Sequence, residues 1–204
     1  MSNKGFTLIE LLVVIAIVAV LSAAVIITLN PAELLRQTRD SNRISDMSTI
    51  KTAMALYLAD VSTSTIADAN AGARCYVSLR VGPAPASPNC GGRFGSGGVT
   101  STSTTPDNVD GTGWVGNTTA VVGGGPTLSL ITGGSPISAW PVDPTNSGLF
   151  YYAYAADNPS LTYELNANME STKYSNTGTS DVESTDGGSD PAIYEVGTDS
   201  GLNL

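Results

Sequence analysis

The sequence predicts an α+β fold: a long N-terminal helix, membrane-compatible in its first half and amphipathic in its second, packed on a small C-terminal antiparallel β-sheet. Three observations predict it. Residues 6–29 are apolar almost without interruption, residues 30–61 carry an apolar stripe at helical spacing, and three short aromatic or β-branched runs follow late in the chain. A sheet hydrophobic on one face and a helix hydrophobic on one stripe bury those surfaces against each other, which gives the two layers.

The first element is FTLIELLVVIAIVAVLSAAVIITL, residues 6–29. At ~1.5 Å per residue such a helix spans ~36 Å, enough to cross a hydrocarbon core of ~30 Å with some tilt. Lys4 precedes it, which by the positive-inside bias leaves the N-terminus cytoplasmic and sends the remainder outward. The apolar run exceeds the h-region of an ordinary secretory signal, and it holds a carboxylate, Glu10, near its start. Both features argue that the segment is retained in the product. A carboxylate at a bilayer centre costs about 2.5–3.5 kcal/mol, less near an interface. Glu10 therefore either sits among headgroups at the helix N-terminus, where negative charge is favoured, or meets a positive partner.

The second element, residues 30–61, begins at Asn30-Pro31. Proline removes one helical hydrogen bond and kinks the helix, while the asparagine before it suits a fresh N-cap. Ile44, Met47, Ile50, Met54, Tyr57 and Val61 recur at steps of three and four, forming one core-facing stripe. Arg36, Asp40, Arg43, Asp46 and Lys51 are assigned to the exposed faces. Residues 62–204 form the globular head. Within it ARCYVSLRV (73–81) is strand-like, and residues 82–125, dominated by Gly, Pro, Ser and Thr, read as a long surface loop. Strands are predicted at Phe150–Ala155, Leu161–Ala167 and Ala192–Val196. Asp157-Asn158-Pro159-Ser160 turns the first two into an antiparallel hairpin, and Trp140 covers the edge of the core.

Composition removes several functions. The chain has no histidine, so the commonest general base and the commonest metal ligand are both missing. No pair of acids is placed by a recognisable catalytic motif, and the glycines at 91–92 and 95–98 lack the lysine and the strand–helix frame of a phosphate loop. No catalytic or cofactor-binding residue is assigned. Net charge is −9, with twelve acids and a single base, Lys173, from Thr100 onward. Nucleic-acid binding, which depends on neutralising phosphates, is not indicated. Two cysteines, Cys75 and Cys90, read as one disulfide in an exported domain, with a buried thiol pair as the alternative.

Lys4-Gly5-Phe6-Thr7-Leu8-Ile9-Glu10 followed by an unbroken apolar helix resembles the prepilin leader of type IV pilins and type II secretion pseudopilins. The resemblance implies a leader over residues 1–5, cleavage between Gly5 and Phe6 by a prepilin peptidase, and N-methylation of Phe6. It implies that Glu10 pairs with the terminal amine of a neighbouring subunit, and that the chain forms a homopolymer through its N-terminal helices. It further implies an inner-membrane precursor, an assembly ATPase and a polytopic platform protein. The Pro-x-Asp-Pro turn at 141–144, the aromatic hairpin and the acidic tail are similar to the major pseudopilin. That protein binds calcium in its C-terminal loop; here Asp181, Asp186, Ser189 and Asp190 around Gly187-Gly188 supply hard oxygen ligands for a structural calcium. Two roles fit the resemblance, an extracellular pilus subunit and a pseudopilin of a short periplasmic pseudopilus.

Overall fold

A computed structural model describes residues 5–62, 65–67, 74–80, 85, 89–94, 99–116, 125–199 and 203–204. Helix α1 runs Leu8–Leu29 and helix α2 runs Pro31–Asp60. Between them Asn30 takes a left-handed conformation (φ 40°) and closes α1 while opening α2. Asparagine tolerates that region better than most residues, and its side-chain oxygen accepts from the Glu33 N–H. Proline at the first position of α2 loses nothing, because that N–H has no helical acceptor in any case.

The strands are β1 Arg74–Val77, β2 Val99–Thr102, β3 Ala153–Asp157, β4 Thr162–Ala167 and β5 Tyr194–Gly197. Among the described residues they form one five-stranded sheet ordered β2-β1-β3-β4-β5. Three pairings are antiparallel, and β1–β2 is parallel. The C-terminal strands β3, β4 and β5 are antiparallel as expected, and the β1–β2 pair makes the whole sheet mixed. The parallel β1–β2 pair joins Arg74 to Val99 and Val77 to Thr102, a pairing that the glycine- and proline-rich sequence between them leaves unmarked.

Alternate residues along the strands serve two cores, as a period of two requires. Tyr76, Tyr154, Ala156, Tyr163, Leu165 and Ala167 face α2, where they meet Met47, Ile50, Ala53, Met54 and Tyr57. Cys75, Val77, Ala153 and Ala155 point to the opposite face and pack with Leu79, Cys90, Phe94 and Tyr151. Rings stack across the strands, with Tyr154 and Tyr163 centroids 5.9 Å apart, a geometry that adds to simple burial. The Asp157–Ser160 turn forms as expected, with Asp157 opposite Thr162. Its Asn158 side chain accepts from the Ile66 and Ala67 N–H groups and donates to the Ala67 carbonyl, tying the hairpin to the chain leaving α2.

Two assignments from sequence change. The stretch 82–125 is not all surface: it supplies edge strand β2, and Trp114 and Val115 lie in the α2-facing core. Trp114 donates its indole N–H to the Pro141 carbonyl. Gly113 must lack a side chain there, since a Cβ would fall 2.6 Å from Trp140 and 2.0 Å from a backbone carbonyl. Trp140 itself is fully inside the core rather than at its edge. Second, Asp40 and Arg43 are buried and Asp46 is half-buried, while Arg36 and Lys51 are exposed. The face 40, 43, 47, 50, 54, 57 is one continuous stripe with a charged upper end.

Candidate assembly site

Thr7 is the N-cap of α1, and Thr7 with Glu10 completes a capping box. The Thr7 N–H and hydroxyl donate to one Glu10 carboxylate oxygen at 2.8 and 2.7 Å, and the Glu10 N–H donates to the Thr7 hydroxyl at 3.3 Å. This arrangement satisfies two otherwise orphaned donors at the helix start. A threonine with a glutamate three residues later, just before an apolar run, is the sequence signal of this box. Phe6 stands immediately before it, 86% exposed. Gly5 is also exposed, and a Cβ there would meet nothing within 4 Å. Nothing among the described residues sterically demands a glycine at that position. Lys4 lies outside the described residues.

Beyond the cap, the described side chains of α1 are exposed, including Leu8, Ile9, Leu12, Val13, Ile17, Leu21 and Ile26. The stretch Leu8–Ile26 is long and apolar enough to cross a membrane, and none of it is buried within the chain. A soluble domain does not leave an apolar surface of this extent uncovered. Phe6, Ile9, Glu10, Val13 and Val14 together line a shallow groove on it.

The head is locked to α2 by a buried ionic cluster. Arg43, with no exposed side-chain surface, donates from Nη1 to Asp40 at 2.7 Å and from Nε and Nη2 to Asp143 at 2.7 and 3.0 Å. Its Nη2 also reaches Glu170 at 2.5 Å, and its guanidinium carbon lies 5.0 Å from the Phe150 ring centroid. Arg39 joins through a two-bond contact with Glu170. The Arg39 contact, together with Arg43 and Thr145, holds the Glu170 carboxyl down at about 2. Asp40 also accepts from the Glu170 and Ser171 N–H groups. Asp143 belongs to the Pro-x-Asp-Pro turn and Glu170 follows β4, so one arginine joins three parts of the chain. Charge on a helix stripe reads as exposure, and only the distant carboxylates reveal otherwise.

The head carries a Cys75–Cys90 disulfide with its Cα atoms 5.9 Å apart, on the face of the sheet away from α2. The C-terminal aspartates behave as turn-formers. Asp181 accepts from Thr177, Glu183 and Ser184, bonds that lower its pKa. Asp186 accepts from the Gly188 and Glu195 N–H groups while burial raises its pKa. Asp190 accepts from Ala192, and Ser189 is exposed. Among the described residues no group of three His, Cys, Asp or Glu side chains converges. A different carboxylate pair, invisible in the sequence, does form. Glu164 on β4 and Glu195 on β5 are both buried, and desolvation raises both pKa values.

No curated protein and no solved structure gives a significant match to the chain. The family model described as the prokaryotic N-terminal methylation motif matches residues 1–26, which contain Gly5, Phe6, Thr7 and Glu10. The chain thus carries, on an apolar N-terminal helix, the class III signal of type IV pilins and pseudopilins, a motif that implies processing by a prepilin peptidase.

Proposed function

We propose that the chain is a structural subunit of an extracellular type IV pilus-like filament. It enters the inner membrane through α1, loses residues 1–5 by cleavage between Gly5 and Phe6, and is N-methylated on Phe6. It then polymerises by packing its α1 helix among copies of itself. The observation that carries this reading is an uncovered apolar helix attached directly to the methylation motif. Lipid covers such a helix in the precursor, and neighbouring copies cover it in a fibre. An assembly ATPase and a polytopic platform protein supply the work of extraction.

Glu10 fits the register of that packing. Its carboxylate is satisfied within its own chain by Thr7, so the precursor does not present a bare charge to lipid. Cleavage creates an ammonium on Phe6, one residue before the cap. In a low-dielectric bundle an ammonium and a carboxylate are costly apart and strongly attracted together, so pairing with a neighbour's Phe6 amine selects one axial register.

Mass spectrometry of filaments sheared from cells tests the reading. The expected species begins at N-methylated Phe6 and retains the Cys75–Cys90 bridge. A chain retaining Met1, or the absence of this chain from any fibre, refutes it.

A further inference from the structure

The outer face of the sheet holds a carboxyl pair that the assembly site does not use. Tyr163, Leu165, Tyr194 and Val196 pack into the α2-facing core, so Glu164 and Glu195, which lie between them on β4 and β5, point the other way. Each is 1% exposed, and the two side chains are in hydrogen-bonding contact. Glu164 Oε2 accepts from the Leu204 N–H at 2.9 Å, and Leu204 packs on the outer core. Glu195 Oε2 accepts from the Asp190 N–H at 2.8 Å, while the Glu195 N–H donates to Asp186 at 2.6 Å. Gly188 closes over the same oxygen, and a Cβ there would fall 2.1 Å from it. Glu195 Oε1 is buried and has no hydrogen-bond donor.

We propose that Glu164 and Glu195 share one proton, and that this proton clasps β5, the turn at 186–190 and residues 203–204 onto β4. Ionised carboxylates only accept hydrogen bonds, so contact between two of them requires a proton on one. A proton on Glu164 supplies the donor that Glu195 Oε1 lacks, where no surface is open to water. The pair then carries a single negative charge, met by the Leu204 and Asp190 N–H groups and the Asn166 amide. Loss of the proton to solvent leaves two negative charges in contact.

The surroundings do not offset the second charge. The 186–190 turn brings two more acids, Asp186 and Asp190, and Asp199 accepts from the Asn203 N–H. On β3, Ala155 and Ala153 stand opposite Glu164 and Asn166. Arg93 directs its guanidinium to the Leu149, Tyr151 and Asn166 carbonyls, and the Tyr151 hydroxyl donates to the Cys90 carbonyl. Burial raises both glutamates, Glu164 to about 8. The closed edge is therefore firmest below the ordinary glutamate range, weakens as pH rises, and levels off above that value. Among the described residues β5 pairs with β4 alone, whereas β4 is also held by β3, so the opening begins at β5.

Amide hydrogen exchange of the full chain in nonionic polyoxyethylene micelles tests the clasp. Protection at the Glu195 and Leu204 amides, corrected for intrinsic rates, should fall ~10-fold per pH unit from about pH 5 to about pH 7, one proton being released per opening. It should stay below the protection of Ile50 and Met54 in α2 throughout. Glu164→Gln and Glu195→Gln should each cut that slope to less than ~2-fold per pH unit. In the wild-type chain the side-chain carboxyl-carbon resonances of both glutamates should move together over the same range. A flat wild-type profile overturns the proposal. Protection equal to that of α2 means that the head opens as a whole, and overturns the clasp. A full slope retained in Glu195→Gln, or a Glu164 resonance that titrates while Glu195 stays still, overturns the shared proton.

Discussion

Replacing Arg43 by Met should remove a large share of the stability of the head. The substitution approximates the volume of the side-chain stem but deletes the cation that faces Asp40, Asp143 and Glu170, with no exposed side-chain surface at Asp40 or Asp143 and 7% at Glu170. Breaking a buried ionic contact from one side costs about 3–5 kcal/mol, because the opposite charges remain buried and unpaired. Domains of this kind hold about 5–15 kcal/mol in total. Arg39 still reaches Glu170, so the residual damage concentrates on Asp40 and Asp143. The assay is urea unfolding of the full chain in micelles, read by the fluorescence of Trp114 and Trp140, both buried in the α2-facing core. The deficit should depend on pH. Glu170 is held at about 2 against a reference value of 4.5, a depression worth about 3 kcal/mol. A depressed carboxylate contributes stability that is present above its unfolded value and lost as pH falls through its folded value. Wild type and R43M should therefore converge as pH drops from 4.5 toward 2. Adding Asp40→Asn, Asp143→Asn and Glu170→Gln to R43M should recover much of the loss at neutral pH. A single variant within about 1 kcal/mol of wild type at neutral pH, or no recovery in the quadruple variant, would refute the electrostatic argument.

Three further outcomes are expected. Glu164→Gln should stabilise the head at alkaline pH. Burial pushes Glu164 up to about 8 beside Glu195, so wild-type stability is fullest below the ordinary glutamate range and falls as pH rises through that value. Thermal unfolding between about pH 5 and about pH 9 should show a flatter profile in the variant, by roughly 1–3 kcal/mol at the upper end. Replacing Cys75 and Cys90 together by Ala opens a loop of sequence separation 15 and should cost about 3 kcal/mol in the same urea assay. Glu10→Ala, at a position exposed on α1, should leave the urea midpoint of the head unchanged and yet abolish filaments counted by electron microscopy. Normal filament numbers would discredit the register role of that carboxylate.

Local signals carried much of the fold. The length of the apolar run marked α1, and Asn30-Pro31 marked the break because its chemistry, a cap followed by a residue without N–H, acts within a few bonds. Met47, Ile50, Met54 and Tyr57 lined the buried stripe by spacing alone, and Asp157-Asn158-Pro159-Ser160 placed the hairpin. What escaped depended on partners far along the chain. Asp40 and Arg43 fall on the buried stripe yet read as surface, because their burial is tolerable only once Asp143 and Glu170, about a hundred or more residues away, close around them. Trp114 lay inside a glycine- and threonine-rich stretch whose composition says loop, and its burial rests on Pro141. The parallel β1–β2 pairing has no short-range turn to announce it. The methylation motif was legible for the opposite reason: it occupies one contiguous segment, so its residues stand side by side.

Asn30 is the sole joint between two rods. No intrahelical bond of α1 needs α2 to hold it, and Pro31 offers no amide to bridge the gap. A helix of 22 residues extends ~33 Å, so a swing of ~20° about the torsions of this one asparagine carries the far tip sideways by ~11 Å. An unbroken rod would have to strain several turns to match that. Re-aiming at this joint leaves every turn on both sides intact, which is what the proposed function asks of a subunit that passes from a bilayer into a fibre without refolding.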